Sequence, residues 1–288
     1  MRGYSKEDVI MLPFSIIMNT LINFLKGFLF ISPKLKLLKM LSRRTWTDSL
    51  RVYLVRSKTG PLLMCGSTTF MYTGSFERGV GDVLGCLFNF LGRGLFVDMG
   101  AYVGFYSVFA AKRGWRVLAF EPNPVSLVLL KYNIMMNSVG DLVSVVGKAV
   151  GERTDVADLT LSVVPSWSSL TSYTPQSAVL GKVKVEIVPL DLMLENWAEG
   201  PLVIKIDVEG AGFRVLKGAL RSINKFRPYL VFEVHRTDEF VDELKGIILL
   251  KRLGYIFGLL EQRSVKNFVL LACPYEKGCP CGVRALNI

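Results

Sequence analysis

The stretch FVDMGAYVGFYSVFAAKRGWRVLAFEPNP, residues 96–124, decides the fold of this 288-residue chain. An apolar run ends on Asp98, a glycine-containing turn and a helical pattern follow, and a second apolar run ends on Glu121. Strand–helix–strand units of this kind form parallel sheets, which bind ligands at the carboxyl ends of their strands. Glu121 lies 23 residues after Asp98, close to the spacing at which an acid meets ribose hydroxyls. The stretch therefore predicts a nucleoside-bearing ligand.

The same alternation of apolar runs and helical patterns continues along the chain. We expect strands at 95–98, 116–120, 142–147, 202–207, 229–234, 255–260 and 266–272, and helices at 104–113, 124–137, 212–223 and 237–252. Two further strands, near 156–163 and 183–188, flank a Ser/Thr/Pro-rich loop. This pattern predicts an α/β fold, a parallel sheet with helices on both faces.

The turn after Asp98 disfavours a dinucleotide as the ligand. Tyr102 stands where the G-x-G-x-x-G motif has its second glycine, and a carboxylate at Asp98 would repel a pyrophosphate. S-adenosylmethionine carries a sulfonium and an ammonium but no phosphate, so a nearby carboxylate favours it. The alternative is that Asp98 only caps a helix and Gly100 only forms a turn. The position of Glu121 counts against this alternative.

Several blocks of sequence, in order, resemble the FkbM-type family of S-adenosylmethionine-dependent methyltransferases. These blocks are FVDMGAYVGFYS, VLAFEPNP, KYNIMMN, VPLD, LVIKIDVEGAGFRVLKGA and RPYLVFEVH, within residues 94–260. The resemblance implies a class I (Rossmann-like) methyltransferase fold with a mostly parallel seven-stranded sheet. It also implies O-methylation of hydroxyls, with S-adenosylmethionine as cofactor. One departure is Gly212, where the family usually has an acid.

The resemblance also assigns the cofactor-binding residues. It implies that Asp98, Gly100 and Gly104 lie at the methionine end of the cofactor and that Glu121 binds the ribose. Asp207, at the end of the fourth strand, would face the transferred methyl group. The complete set of candidate cofactor-binding residues is Asp98, Gly100, Tyr102, Gly104, Glu121, Asn123 and Asp207.

A hydroxyl acceptor must lose its proton as it attacks, which requires a general base. The candidate catalytic residues are Asp207, Glu209, Glu233 and His235. Glu233 and His235 are two residues apart on a predicted strand and therefore point to the same face. Two structural alternatives stay open: His235 is an ordinary polar residue, and Glu209 caps helix 212–223. We expect Asp191 to cap a short helix, and we assign no metal, although grouped acids can bind a divalent cation.

The N-terminal extension carries most of the positive charge. The chain has a net charge of +11, and residues 1–60 hold eleven Lys/Arg against three acids. Residues 10–31 are as long as a membrane span, but their polar residues fall in one stripe of a helix. Peripheral membrane contact through residues 10–45, a helical cap on the main domain and a true span all stay open. No small-residue cleavage site follows the apolar run, so we expect a cytoplasmic protein, either free or at the inner face of the membrane.

The pattern predicts three parts: a mainly helical extension with a short hairpin at 1–90, a methyltransferase domain at 91–272 and a tail at 273–288. We expect selectivity for the acceptor to reside in residues 1–90 and 152–188. The five cysteines, three of them in CPYEKGCPC, follow no secretory signal. Free thiols are therefore favoured over a disulfide or a metal site.

Three functions are consistent with these features. The first is O-methylation of a glycan, glycolipid or related small molecule. The second is nucleic-acid methylation, but the fourth strand ends in DVEG, without the Asn/Asp-Pro-Pro-aromatic turn used on exocyclic amines. The basic extension also lacks an aromatic stacking platform, so we expect no nucleic-acid partner. The third is a degenerate domain that only binds ligands.

Overall fold

The computed structural model describes residues 9–11, 52–57, 60–65, 78–162, 168–170, 178–197, 200–235, 240–265 and 267–286. The strands in these ranges are β1 (Val9–Met11), β2 (Val52–Ser57), β3 (Gly60–Cys65), β4 (Leu95–Met99), β5 (Arg116–Phe120), β6 (Val143–Val146), β7 (Ala149–Val150), β8 (Asp155–Ser162), β9 (Val179–Val188), β10 (Leu202–Ile206), β11 (Tyr229–Val234), β12 (Tyr255–Ser264) and β13 (Asn267–Pro274). The helices are α1 (Arg78–Leu91), α2 (Phe105–Ala111), α3 (Pro124–Met136), α4 (Leu190–Met193), α5 (Gly212–Lys217), α6 (Leu220–Phe226) and α7 (Phe240–Arg252).

The central sheet has seven strands in the order β12-β13-β11-β10-β4-β5-β6. The pairs from β11 through β6 are parallel, and β13 is antiparallel to both β11 and β12. The central strands β4, β10 and β11 are buried along their whole length, because helices cover both faces of a parallel sheet. The predicted α/β fold with a mostly parallel seven-stranded sheet is confirmed.

Two apolar cores lie on opposite faces of this sheet. Helices α1, α2 and α3 share a core with Phe96 on one face, whereas α4 to α7 share a core with Val97 on the other. Neighbouring residues of β4 thus alternate between the cores, as the two-residue period of a strand requires. Trp115 is fully buried in the first core, and its indole N–H donates to the carbonyl of Phe88 at 3.3 Å.

The hairpin β2–β3 packs against the same core. Asn137, at the end of α3, accepts from the amide of Leu63 at 3.0 Å and donates to its carbonyl at 2.6 Å. Strand β1 extends this hairpin into a three-stranded antiparallel sheet. Ile10 and Met11 therefore lie in a strand, and the helix predicted from Ile10 does not begin there. Residues 12–51 lie outside the described residues, so their membrane contact stays a prediction, as does the division into three parts.

None of the helices in the described ranges is long and apolar enough to cross a bilayer.

A second three-stranded sheet, with the order β7-β9-β8, lies between β6 and β10 in the chain and is separate from the central sheet. We call it the accessory sheet. It contains both strands that the sequence predicted around the Ser/Thr/Pro-rich loop, β8 and β9, paired antiparallel to each other. A small core of Ala149, Leu159, Leu161 and Val185 supports it. Of the Ser/Thr/Pro-rich loop, the structure describes residues 168–170.

The single helix predicted at 212–223 is two helices, α5 and α6. The helix is interrupted at Gly218, where an added Cβ would lie 1.9 Å from the carbonyl oxygen of Gly151. The carboxylate of Asp191 accepts from the amides of Arg221 and Ser222 at 3.0 and 2.8 Å and so caps α6. The expected capping role of Asp191 is therefore confirmed, although it acts on a helix remote in sequence.

Two disulfides hold the C-terminal segment, which corrects the preference for free thiols. Cys86 of α1 is bonded to Cys281, and Cys273 of β13 is bonded to Cys279, with Cα–Cα distances of 5.9 and 5.4 Å. Packing of the segment on α1 brings the first pair together, which local spacing in the sequence does not reveal. Beyond the disulfides, the amide of Leu286 donates to the carbonyl of Phe257 in β12 at 2.6 Å.

Candidate active site

Asp98 is the most deeply buried acid at the carboxyl edge of the sheet, with 1% of its surface exposed. Its Oδ2 accepts a hydrogen bond of 2.7 Å from Ser107, whereas Oδ1 has no hydrogen-bond partner among the residues that the structure describes. Burial raises the pKa of Asp98, and Lys205 and Ser107 oppose this shift. Gly104 is the N-cap residue of α2, and Asp98 bonds Ser107 in the first turn of that helix, so the alternative that Asp98 serves this helix stays open.

Two glycines allow the turn after β4 to approach its neighbours closely. Gly100 and Gly104 have φ values of 80° and 84°, a region that side chains rarely adopt. A Cβ on Gly100 would lie 1.8 Å from the carbonyl oxygen of Asp207, and one on Gly104 would lie 2.2 Å from Leu130. The glycines therefore bring this turn against the end of β10 and against α3.

Glu121 ties this turn to the next one. Its Oε2 accepts from the amide of Tyr102 and its Oε1 from the amide of Asn123, both at 2.8 Å. Burial raises the pKa of Glu121 to about 8, although these two bonds oppose the shift. Asn123 is the N-cap of α3, since its Oδ1 accepts from the amide of Val125 at 2.9 Å. The predicted cofactor residues Tyr102, Glu121 and Asn123, which follow β4 and β5, are thus connected by hydrogen bonds.

The four predicted catalytic residues form a second group, at the ends of β10 and β11. The Nε2 atom of His235 lies 3.4 Å from a carboxylate oxygen of each acid in the group, namely Asp207, Glu209 and Glu233. Burial alone would lower the pKa of His235, but the charges of Glu209 and Glu233 and the bond with Asp207 raise it to about 10. The acids around Nε2 therefore favour the protonated imidazole.

The acids of this group differ in proton affinity and in access. Burial raises the pKa of Glu209 to about 8 in spite of the opposing charge of His235. Burial also acts on Asp207, but Lys205 and His235 outweigh it and lower the pKa of Asp207 below its usual range. The side chains of Asp207 and Glu209 are 22% and 19% exposed, against 4% for His235. Glu209 is thus an accessible acid with a high proton affinity.

Two basic residues that sequence reasoning missed compensate the other acids. Lys205 contacts Asp207 at 2.7 Å, and Arg263 contacts Glu233 at 2.5 Å. A lysine inside the apolar strand LVIKI is a signal that could have pointed to Lys205, whereas Arg263 comes from the distant β12. Asp207, Glu233 and His235 each offer one atom within 4.8 Å of the others and could hold a metal ion. Because two of these carboxylates already have a cationic partner, we describe the group as an ion-paired cluster.

The amide of Gly212, which begins α5, donates to Oε1 of Glu243 in α7 at 2.9 Å. Glu243 therefore caps α5 from a distant helix, and the capping role that the sequence left open for Glu209 stays a prediction. A Cβ on Gly212 would lie 2.9 Å from Oε2 of Glu243 and 2.5 Å from the ring of Phe232. Glu243, with 1% of its surface exposed, thus places an acid beside the position where the family usually has one. No local sequence signal identifies it, because 31 residues separate the two positions.

The strand order and the paired acids at the carboxyl edge define a class I methyltransferase domain. A family model described as the methyltransferase FkbM domain matches residues 98–257. This match spans more than half of the chain, so the chain belongs to the FkbM methyltransferase family, and it is a methyltransferase.

Solved structures with a similar fold include two methyltransferases. A methyltransferase FkbM from Methylobacillus flagellatus KT is 23% identical with a TM-score of 0.44, and the match covers 62% of this chain and 42% of that one. An O-methyltransferase from Bacillus cereus, in complex with SAH, is 14% identical with a TM-score of 0.43, over 69% of this chain and 81% of that one.

Among characterised proteins, a tRNA (guanine(37)-N(1))-methyltransferase of Theileria parva is 43% identical over 53 residues. This match covers 18% of the present chain and 11% of the relative. The chain thus spans about a tenth of that protein's length.

Proposed function

We propose that this chain uses S-adenosylmethionine as its methyl donor and methylates a hydroxyl group of a glycan, a glycolipid or a related small molecule. The observation that carries this proposal is the cluster in which the partly exposed Asp207 and Glu209 lie 3.4 Å from Nε2 of the buried His235. A carboxylate of raised pKa can take a proton from a hydroxyl as that hydroxyl attacks.

The residues at the ends of β4 and β5 fit the proposed donor. The unpartnered Oδ1 of Asp98 can accept a hydrogen bond from the ammonium group of the donor and compensate its positive charge. A ligand with a phosphate at this position would instead be repelled by the carboxylate. Each oxygen of the Glu121 carboxylate accepts one backbone amide and keeps acceptor capacity for the ribose hydroxyls. S-adenosylmethionine, when bound, supplies a methyl group activated by its sulfonium.

The cluster at β10 and β11 supplies the remaining chemistry. Glu209, in the ionised form that prevails above a pH of about 8, accepts the proton of the acceptor hydroxyl, and an imidazolium at His235 stabilises that ionised form. Asp207, held ionised by Lys205, orients the acceptor near the donor. The buried Glu233 pairs with the partly exposed Arg263, and this pair keeps His235 in place. Alignment of donor and acceptor is the main contribution of the protein to such an in-line displacement.

A hydroxyl acceptor is favoured over a nucleobase. The turn after β10 presents the carboxylates of Asp207 and Glu209, which suit a group that must lose a proton. The match to the tRNA methyltransferase covers too little of either chain to assign an acceptor. The choice of a glycan or glycolipid rests on the resemblance to the family, and membrane contact through residues 10–45 would suit a lipid-linked acceptor.

Calorimetric titration with S-adenosylmethionine tests the donor. We expect the wild-type protein to bind, and we expect Asp98→Asn to bind at least about tenfold more weakly, since a buried hydrogen bond to a charged group contributes about 1.5–3 kcal/mol. Asp158→Asn, at an exposed acid of the accessory sheet, is the matched control and should bind normally. A wild-type protein that does not bind would refute the choice of donor.

A radiolabelled-methyl assay on fractionated glycans, lipids and RNA of the source cell tests the acceptor. We expect label in a glycan or lipid fraction, and we expect Glu209→Gln to reduce the rate about 10²-fold or more, the usual contribution of a general base. Label only in RNA would support the nucleic-acid alternative. Donor binding without any labelled product would support the degenerate binding domain.

A further inference from the structure

The segment 168–170, which pairs with β8 of the accessory sheet, contacts both groups of the candidate active site. Ser169 and Thr160 of β8 exchange two backbone hydrogen bonds, of 2.9 and 3.1 Å. Leu170 packs against the small core of the accessory sheet. The segment is therefore fixed on this sheet and gives its two serines defined positions.

The first serine contacts the cofactor residues. The Oγ atom of Ser168 accepts from the side-chain amide of Asn123 at 3.1 Å and from the backbone amide of Ser162 at 3.2 Å. The backbone amide of Asn123 in turn donates to Glu121. Asn123 thus connects Ser168, through its side chain, with the carboxylate proposed to bind the ribose, through its backbone amide.

The second serine contacts the turn that carries the proposed base. The Oγ atom of Ser169, which is 2% exposed, donates to the carbonyl oxygen of Glu209 at 3.0 Å. Glu209 has a φ of 49° and Gly210 one of 91°, so two successive residues of this turn are left-handed. A left-handed residue other than glycine costs about 1 kcal/mol or more and persists where its surroundings hold it. Ser169 supplies such support from outside the central sheet.

We propose that Ser168 and Ser169 are positioning residues through which the accessory sheet links the cofactor residues to Glu209. The roles of Glu121 in cofactor binding and of Glu209 as base rest on the proposed function, whereas the contacts of the two serines do not. Binding at Glu121 and Asn123 fixes Ser168, the adjacent Ser169 holds the Glu209 carbonyl, and the Glu209 carboxylate is thereby kept against His235. The accessory sheet thus couples arrival of the donor to alignment of the base.

The first test uses the fact that the chain contains one histidine. The imidazole NMR signal of His235 can therefore be titrated without ambiguity, and it reports the position of the Glu209 carboxylate 3.4 Å away. We expect Ser169→Ala to lower the pKa of His235 by about 1, the lower end of the effect of an adjacent opposite charge. Ser169→Thr, which keeps the hydroxyl, and Ser222→Ala, at a buried serine of α6, should leave the titration unchanged.

An unchanged titration in a folded Ser169→Ala protein would overturn the positioning role of Ser169. Thermal unfolding of each variant shows whether it is folded. If Ser169→Ala does not fold, the second test decides the proposal through the other serine.

The second test adds S-adenosylhomocysteine, which lacks the sulfonium charge, and follows the same His235 signal. We expect the signal to move in the wild-type protein and most of this movement to be lost in Ser168→Ala, while calorimetry shows that the ligand still binds. Equal movement in both proteins would overturn the link. If the wild-type protein binds neither S-adenosylmethionine nor S-adenosylhomocysteine, the proposed function is refuted. The His235 titration of Ser169→Ala then tests the positioning role by itself.

Discussion

The two disulfides should contribute unequally to stability. The Cys86–Cys281 bond closes a loop of 195 residues, whereas the Cys273–Cys279 bond closes one of 6. The chain-entropy relation then gives about 5 kcal/mol for the long loop and about 2 kcal/mol for the short one at 25 °C. We therefore expect Cys86→Ala/Cys281→Ala to lose more than twice the unfolding free energy lost by Cys273→Ala/Cys279→Ala.

Urea unfolding of the oxidised proteins, followed by tryptophan fluorescence, measures both losses. The buried Trp115 next to Phe88 of α1 reports the core onto which the long-loop disulfide holds the C-terminal segment. Removing the long-loop disulfide should also steepen the transition, because the unfolded chain then loses a cross-link and exposes more surface. Under reducing conditions the unfolding free energies of the two double variants should approach that of the reduced wild-type protein. A small difference should remain because of the cavity left by the missing sulfurs.

A thiol assay checks the two disulfides independently of stability. Four of the five cysteines are paired, so the denatured, unreduced protein should titrate as one thiol and the reduced protein as five. Five thiols before reduction would refute the disulfides. A long-loop variant that loses no more stability than the short-loop variant would refute the entropic account.

Three further outcomes follow from the site and its supports. Gly100→Ala should abolish donor binding in calorimetry and lower the melting temperature, because its Cβ would lie 1.8 Å from a carbonyl oxygen at the end of β10; normal binding would contradict this close contact. The pKa of Glu121 is raised from 4.5 to about 8, so its contribution favours the folded protein below pH 4.5 and is lost as the pH rises through about 8. Thermal melts should therefore show wild-type stability falling across this window relative to Glu121→Gln, while donor affinity of the wild type rises; parallel curves for both proteins would contradict the shift. Glu243→Ala should cost about 1–3 kcal/mol in urea unfolding, because it leaves the buried amide of Gly212 unpaired; Asp242→Ala, at the exposed neighbour, should cost at most about 1 kcal/mol, and equal losses would contradict the capping role.

The alternation of apolar runs was sufficient to predict the central sheet. Continuous apolar strands such as LVIKI and YLVFEV indicate burial on both faces, and the structure confirms it. The break between α5 and α6 could not be predicted, because it depends on contact between Gly218 and Gly151, which lie far apart in sequence. The pairing of β8 with β9 outside the central sheet was missed for a similar reason. Their residue patterns indicate strands but not the sheet that they join.

The residues of the candidate site also fall into those that the sequence could predict and those that it could not. Asp98 and Glu121 were predictable, because the local spacing of a strand–helix–strand unit places them at neighbouring strand ends. Glu233 and His235 were predictable as a pair from the two-residue period of β11. Arg263, Glu243 and the two serines of segment 168–170 were not, because each reaches the site from a segment distant in sequence. Local patterns locate the reacting edge, whereas the groups that orient it come from tertiary packing.

The C-terminal segment has a practical consequence for handling the protein. By bridging to Gly258 through Ala285 and bonding Phe257 through Leu286, it occupies hydrogen-bonding positions of the outermost strand β12. An open outer strand is a template for pairing with another chain. A chain truncated before residue 280 would expose that template and leave Cys86 as an unpaired thiol, so both self-association and intermolecular cross-linking should increase. Affinity tags are therefore better placed where they leave Ala285 and Leu286 free to pair.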